Sequence, residues 1–179
     1  SQLASFIWIP IVVILLWAGF TMFHTVQAES QGVVLRLGKY IKTIDPGLRV
    51  TLPFGIDTVE IVQVERQLKQ EFGFATSGAT DQSQYNPSSV ERERERSMVT
   101  GDLNAATVEW SVQYRILEPK LYLFKVRQPK DTLRDLSESV MRTVIGDRTV
   151  DEVITVGRGE IATEALNQMQ ILVDKYELG

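Results

Sequence analysis

Between Phe6 and Phe23 the chain is an unbroken apolar run, and no other feature limits its fold as tightly. It reads Phe6, Ile7, Trp8, Ile9, Pro10, Ile11, Val12, Val13, Ile14, Leu15, Leu16, Trp17, Ala18, Gly19, Phe20, Thr21, Met22, Phe23. A helix rises 1.5 Å per residue, so about 20 such residues cross a hydrocarbon core roughly 30 Å thick. The stretch from Leu3 to His24 supplies that length. Polar residues do not recur at a 3.6-residue spacing, which argues against a helix lying in the membrane interface. A transmembrane helix over 3–24 is therefore expected, with Phe6, Trp8, Leu15, Leu16, Trp17, Phe20 and Phe23 as its anchoring side chains. Trp8 and Phe23 lie near the two ends while Trp17 is more central, so the aromatic belt is partial. Pro10 stands close to the start, where a missing N–H costs least. The competing reading is a cleaved secretory signal, since Val26-Gln27-Ala28 has the small-residue spacing of a cleavage site. Against it, the run exceeds the ~7–15 apolar residues of a signal core.

Charge is distributed to match. No formally charged side chain occurs from Ser1 to Ala28, and the charged residues are spread over the remainder. Glu29, Arg36, Lys39 and Lys42 follow the run without choosing a side of the membrane. A flank before Ser1 is expected. A length of 179 residues suits one domain, or one domain with an appendage. The net charge of -4 argues against nucleic acid as main partner, because phosphate neutralisation needs a clustered basic surface. Cysteine is absent, which removes disulfides, thiol catalysis and thiolate metal sites.

Beyond Glu29 the pattern changes to short strands. Gly32–Tyr40 is β-rich and bounded by glycine, Asp45-Pro46-Gly47 is a turn signal, and Leu48–Leu52 and Val59–Val64 continue as strands. Ala75–Ser89 reads as an exposed loop; in it Asn86-Pro87-Ser88 resembles a glycosylation site that its proline excludes. In Glu91-Arg92-Glu93-Arg94-Glu95-Arg96 the signs alternate at period two, which predicts a solvated loop or strand edge, with a subunit-docking patch as the sharper alternative. From Thr107 to Ile116 the residues Val108, Trp110, Val112, Tyr114 and Ile116 share one face of a half-buried strand. Helices follow: a short one over Pro119–Phe124, a longer one capped by Asp131 with a stripe of Leu133, Leu136, Val140, Met141 and Val144, and a brief one near Thr149–Ile154. The last runs through Ile161, Ala165, Leu166, Met169, Leu172 and Val173 to about Tyr176. Strands first and helices later predict an α+β domain of antiparallel sheet with helices packed on it.

No catalytic set emerges, and no catalytic, cofactor-binding or metal residue is assigned. The single histidine, His24, sits at the edge of the apolar run, where an interfacial role is the simpler one. Gly157-Arg158-Gly159 lacks the rest of a dinucleotide fingerprint, and there is neither a P-loop nor a nucleophile elbow. A Ser–Lys pair in a membrane-tethered hydrolase is the enzymatic alternative left open.

The order of the pieces resembles the band-7 (SPFH) family, which includes stomatin, prohibitin, flotillin and the bacterial HflK and HflC proteins. An apolar helix precedes Glu29-Ser30-Gln31-Gly32-Val33-Val34-Leu35-Arg36-Leu37-Gly38-Lys39-Tyr40, then Asp45-Pro46-Gly47-Leu48 and Leu52-Pro53-Phe54-Gly55. Met98-Val99-Thr100-Gly101-Asp102-Leu103-Asn104, Val112–Ile116, Tyr122-Leu123-Phe124, Val144-Ile145-Gly146-Asp147, Val150–Thr155, Arg158 and Tyr176–Gly179 continue the match. Each motif is weak alone, and their order is the signal. It implies an SPFH domain over 29–157 and a C-terminal helix over 158–179 that leads to a coiled coil beyond Gly179. The HflK-type branch is the most similar. That branch implies a bacterial inner-membrane scaffold, its domain on the periplasmic side, which joins an HflC-like paralogue in a hetero-oligomeric cage around the FtsH protease and restricts substrate access. The partners implied are thus the paralogue, FtsH and membrane lipid. A stomatin- or prohibitin-like scaffold with another client is the alternative.

Overall fold

The computed structural model describes residues 2–74, 88–155 and 157–179, apart from the side chains of 2–7 and 9. The chain divides into two compact units, one of residues 1–66 with 116–120 and one of 67–115 with 121–179.

In the first unit, helix α1 (Gln2–Thr21) is followed by strands β1 (Phe23–Val26), β2 (Ser30–Arg36), β3 (Lys39–Ile44), β4 (Gly47–Val50) and β5 (Asp57–Gln63). All pairings are antiparallel: β1 with β4, and β2 between β3 and β5. The β2–β3 turn places Leu37 and Gly38 at φ 50° and 83°. Positive φ at both central residues is what a tight hairpin of the strand-matching twist requires. Val26, Val34, Ile44 and Val59 form the core. Gly32 lets that core close, since a Cβ there would come within 2.8 Å of both Ile44 and Val59.

The second unit holds strands β6 (Leu68–Phe72), β7 (Ser97–Val99), β8 (Ala105–Thr107) and β9 (Trp110–Tyr114), with β6 paired to β9 and β7 to β8, both antiparallel. Its helices are α2 (Ser89–Arg96), α4 (Pro129–Gly146), α5 (Val150–Ile154) and α6 (Arg158–Tyr176); α3 (Pro119–Phe124) spans the boundary between the units in the chain. Met98, Val140, Met141, Val144, Ile145, Ile161 and Ala165 make one buried cluster, seating α4 against α6 and β7. The Gly-Asp turn locks onto the ends of α4 and α5. Gly101 N donates to the Arg148 carbonyl at 2.8 Å, and Asp102 Oδ1 accepts from Val150 N at 3.2 Å. A Cβ on Gly101 would stand 2.7 Å from the Gly146 carbonyl, so glycine is required for the approach.

The α+β class, the turn at Asp45–Gly47 and the helices at Pro119, Thr149 and Gly157 agree with the sequence. Four expectations need correction. The N-terminal helix stops at Thr21, so Phe23 and His24 belong to β1 and not to a span over 3–24. Their backbones are claimed by cross-strand pairing with Val50 and Arg49. The charged run Glu91–Arg96 is helical, and α2 already begins at Ser89, inside the expected loop; residues 75–87 of that loop lie outside the described residues. Thr107–Ile116 is not one strand. Val108 N turns to the Arg96 carbonyl at 2.8 Å and separates β8 from β9, although the alternation of half-buried and exposed side chains persists. Finally, Asp131 does not cap α4: Gln128 holds that position without a side-chain bond, and Pro129 opens the helix.

Candidate functional site

Two surfaces bear on function, and the first is the apolar end of unit one. Helix α1 has no acidic side chain in its first turn and no basic one in its last. Trp8, Leu15, Leu16, Trp17 and Phe20 on α1, with Phe23 on β1, are all exposed, between 57% and 87%. Folding has therefore not buried this face against protein. The side chain of Phe6 lies outside the described residues. Among the described residues no helix is long and apolar enough to cross a membrane.

The apolar surface does not stop at the helix. Leu48 and Val50 on β4, and Leu52 and Phe54 just after it, are exposed as well. The Trp17 and Phe54 rings meet edge to face with centroids 5.7 Å apart. A contiguous apolar patch of this kind on a protein surface marks a lipid or protein contact. The loop carrying Phe54 is fixed from behind. Asp57, 7% exposed, receives Arg36 through two hydrogen bonds of 2.8 and 3.2 Å, and its Oδ2 also accepts from Leu52 N at 3.0 Å. The Arg36 hydrogen bond, aided by the Leu52 amide, holds the Asp57 carboxyl below its ordinary value of 3.8. A lowered folded value means this stabilisation is present above the unfolded pKa and is lost as pH falls through the folded one. Thermal melts in acid should therefore show a steeper loss for the wild type than for Asp57→Asn, whose starting stability is lower; parallel curves would refute the clamp. His24 is accounted for by a 3.0 Å hydrogen bond between its Nδ1 and Thr51 Oγ1.

The second surface is α2, the predicted docking run. Ser88 Oγ accepts from Glu91 N at 3.3 Å while Glu91 Oε2 accepts from Ser88 N at 2.7 Å, a reciprocal capping box. The Ser88 backbone amide first, and then the Ser88 hydroxyl, hold the Glu91 carboxyl below its usual range. The Ser-x-x-Glu spacing was the signal in the sequence that marked this helix start. Helical geometry then sorts the charges by role. Glu93 pairs with Arg96 one turn on, and Arg96 also reaches Glu109 at 3.3 Å. Glu95 turns inward, buried, and pairs with Arg134 of α4. Arg142 binds the carbonyls of Arg94 and Ser97. Glu91 and the side chains of Glu93 and Arg94 remain on the outside, so the run is half structural support and half available surface.

Behind α2 lies a network the sequence reading missed. The Arg134 guanidinium lies 4.5 Å above the Phe72 ring, and Phe72 stacks on Trp110 at 4.7 Å and 6°. Trp110 Nε1 donates to the fully buried Ser137 at 2.9 Å. Glu95 Oε2 accepts from Gly73 N at 3.2 Å. No group of three or more metal-ligating side chains occurs among the described residues.

The chain is α+β, its described side-chain networks pack strands and helices together, and it exposes one charge-free helix. It belongs to the SPFH domain / Band 7 family, whose model matches residues 24–179. Among curated proteins it is 38% identical over 156 residues to Protein HflK of Treponema pallidum, covering 86% of this chain and 46% of the relative. It is 36% identical over 154 residues to Protein HflK of Borreliella burgdorferi, covering 86% and 48%. Against the Modulator of FtsH protease HflK of Escherichia coli K12 the identity is 33% over 169 residues, covering 93% and 34%. The chain thus spans less than half the length of these relatives.

Proposed function

We propose that the chain is the membrane-proximal part of a bacterial scaffold subunit that modulates an FtsH-type membrane protease. Support for the client comes from the relative named as modulator of FtsH protease, which aligns with 93% of this chain. The membrane reading is carried by one structural observation: the exposed, charge-free α1 continues into the exposed apolar residues of β1, β4 and the Phe54 loop. Burying such a surface in lipid gains about 25 cal/mol per Å², whereas leaving it in water gains nothing. In this reading the apolar residues within Gln2–Thr21 associate with the membrane, and the β1–β4 side rests at its interface. The domain lies on the periplasmic face, a coiled coil follows Gly179, and an HflC-like paralogue completes a closed assembly that limits access of substrates to FtsH. Confinement to a plane raises the effective concentration of subunits, so weak lateral contacts suffice. The outer face of α2, from Glu91 to Arg94, is one such contact.

The test is affinity capture of the tagged full-length protein from detergent-solubilised membranes. FtsH and a paralogue should co-purify, and charge reversal at Arg92 and Arg94 should lower recovery of the paralogue. A membrane-bound oligomer that brings down no FtsH would instead support a stomatin- or prohibitin-type scaffold serving another client.

A further inference from the structure

The second unit leaves a strand edge open beside an apolar cleft. β8 and β9 use one edge to pair with β7 and β6, and among the described residues no strand pairs with the other. A cleft of about 940 Å³ runs along residues 105–113, walled by Val112, Met141, Val153, Ile161, Ala165 and Leu166. Glu109 and Arg158 are the charged residues that line it, and Glu109 is already met by Arg96 at 3.3 Å. Exposed edges are commonly guarded by lysine or proline, and 105–113 contains neither. Unpaired main-chain groups beside an apolar wall fit an extended strand that brings apolar side chains at alternate positions.

The way α6 ends points to the source of that strand. Gly101 N is bonded to the Arg148 carbonyl, and the Arg148 side chain pairs with Glu160 and Glu164 at 3.3 and 2.8 Å, so α6 starts beside the 105 end of the edge. The 19 residues of α6 span about 28 Å and residues 105–113 about 30 Å. Met169 and Gln113 both line the cleft, so helix and edge finish at the same end. There the helix is stopped. Glu177 adopts φ 51°, its N–H donates to the Asp174 carbonyl at 3.1 Å, and the Leu178 N–H donates to the Val173 carbonyl at 3.2 Å. A left-handed cap of this kind closes a helix and turns the chain. Leu178 is buried, the Glu177 carboxylate pairs with Lys125, and Gly179 keeps the turn going at φ 83°. The curated relatives are more than twice as long as the part that aligns with this chain.

We propose that the residues following Gly179 run back along the cleft as an antiparallel strand on the open edge of β9 and β8, with alternate apolar side chains against Val153, Ile161 and Leu166. This rests on the reading in which the chain continues past Gly179, and it starts the coiled coil beyond that strand rather than as an extension of α6. A reversal at Gly179 gives the antiparallel sense that every sheet pairing in the second unit already has. A glycine closing the helix is also what a short helix-to-strand connection uses. Because the strand is tethered at the mouth of the cleft, it outcompetes a strand from another molecule through its effective concentration.

Residues 1–179 contain no cysteine, which suits disulfide mapping. Full-length protein in membranes carries Ser111→Cys together with a single cysteine at each in turn of the first ~12 positions after Gly179, enough to cover the edge at about 3.3 Å per residue. Any native cysteine in that segment is replaced by serine, and the protein is oxidised with copper phenanthroline. Disulfides within one chain are expected at every second position, the spacing of a strand. Disulfides between differently tagged copies, intrachain bonds without that period, or none at any position overturn the proposal. Hydrogen exchange gives a second readout. Leu166 is 59% exposed, so Leu166→Asp leaves the described packing in place. It should speed exchange of the 105–113 amides about tenfold in the full-length protein while the α6 amides keep their rates. Unchanged rates along 105–113 overturn the proposal, and the disulfide pattern decides alone if α6 is loosened as well. Disulfides of the expected period without capture of FtsH would leave the strand standing and remove the client of the scaffold reading; capture of FtsH without the disulfides would do the reverse.

Discussion

Replacing Arg134 with leucine is expected to destabilise the second unit by about 3–5 kcal/mol, because it leaves the Glu95 carboxylate buried without its cation. The two side chains are only 13% and 7% exposed, so solvent cannot take over the role of the guanidinium. The substitution also removes the hydrogen bond of 3.2 Å that Arg134 Nη1 donates to the Glu71 carbonyl, and the cation above Phe72. Urea unfolding followed by near-ultraviolet circular dichroism measures the loss. Replacing both partners, Arg134→Leu with Glu95→Leu, should recover much of it, since two apolar side chains leave no charge uncompensated. A single-variant loss under about 1 kcal/mol would show that Glu95 reaches water.

Phe72→Ala has an expected cost of similar size, about 3–5 kcal/mol, from lost transfer energy and the cavity left behind. Phe72 is 0% exposed and stands between the Trp110 ring and the Arg134 guanidinium. Its removal takes away the ring on which both of those groups rest. The two substitutions touch the same ring, so their combined loss should fall short of the sum. Strict additivity in a double-mutant cycle would mean that the stack and the ion pair act separately.

This network also shows what could be read in advance. Trp110 and Val112 were visible as one face of a strand because period two survives even the break at Val108. Arg134 was not visible: on α4 it is one more charged residue between the apolar positions Leu133 and Leu136, and nothing local says that a glutamate on α2 will meet it. Glu95 was misplaced for a related reason. Alternating signs over six residues fit a strand edge, and the choice of a helix was made by the Ser88–Glu91 cap together with the packing of α2 beside β6 and β7.

The apolar end divides in the same way. A charge-free run from Phe6 to Phe23 is a property of composition, and it constrains the chain before any contact forms, since a helix is the way one segment satisfies its own backbone away from water. The order of short strands and later helices is likewise local, written in turn residues and periodicity, and it was enough to indicate the α+β class and the family. Where the helix ends was a tertiary matter: Phe23 and His24 are apolar or amphipathic enough to continue it, yet pairing with β4 gives their backbones cross-strand partners. The exposed residues Leu48, Val50, Leu52 and Phe54 read as ordinary strand and turn residues in one dimension. Only the fold sets them out as one exposed surface with Trp17 and Phe20, because long-range pairing, and not neighbouring sequence, decides which apolar side chains are left without protein to cover them.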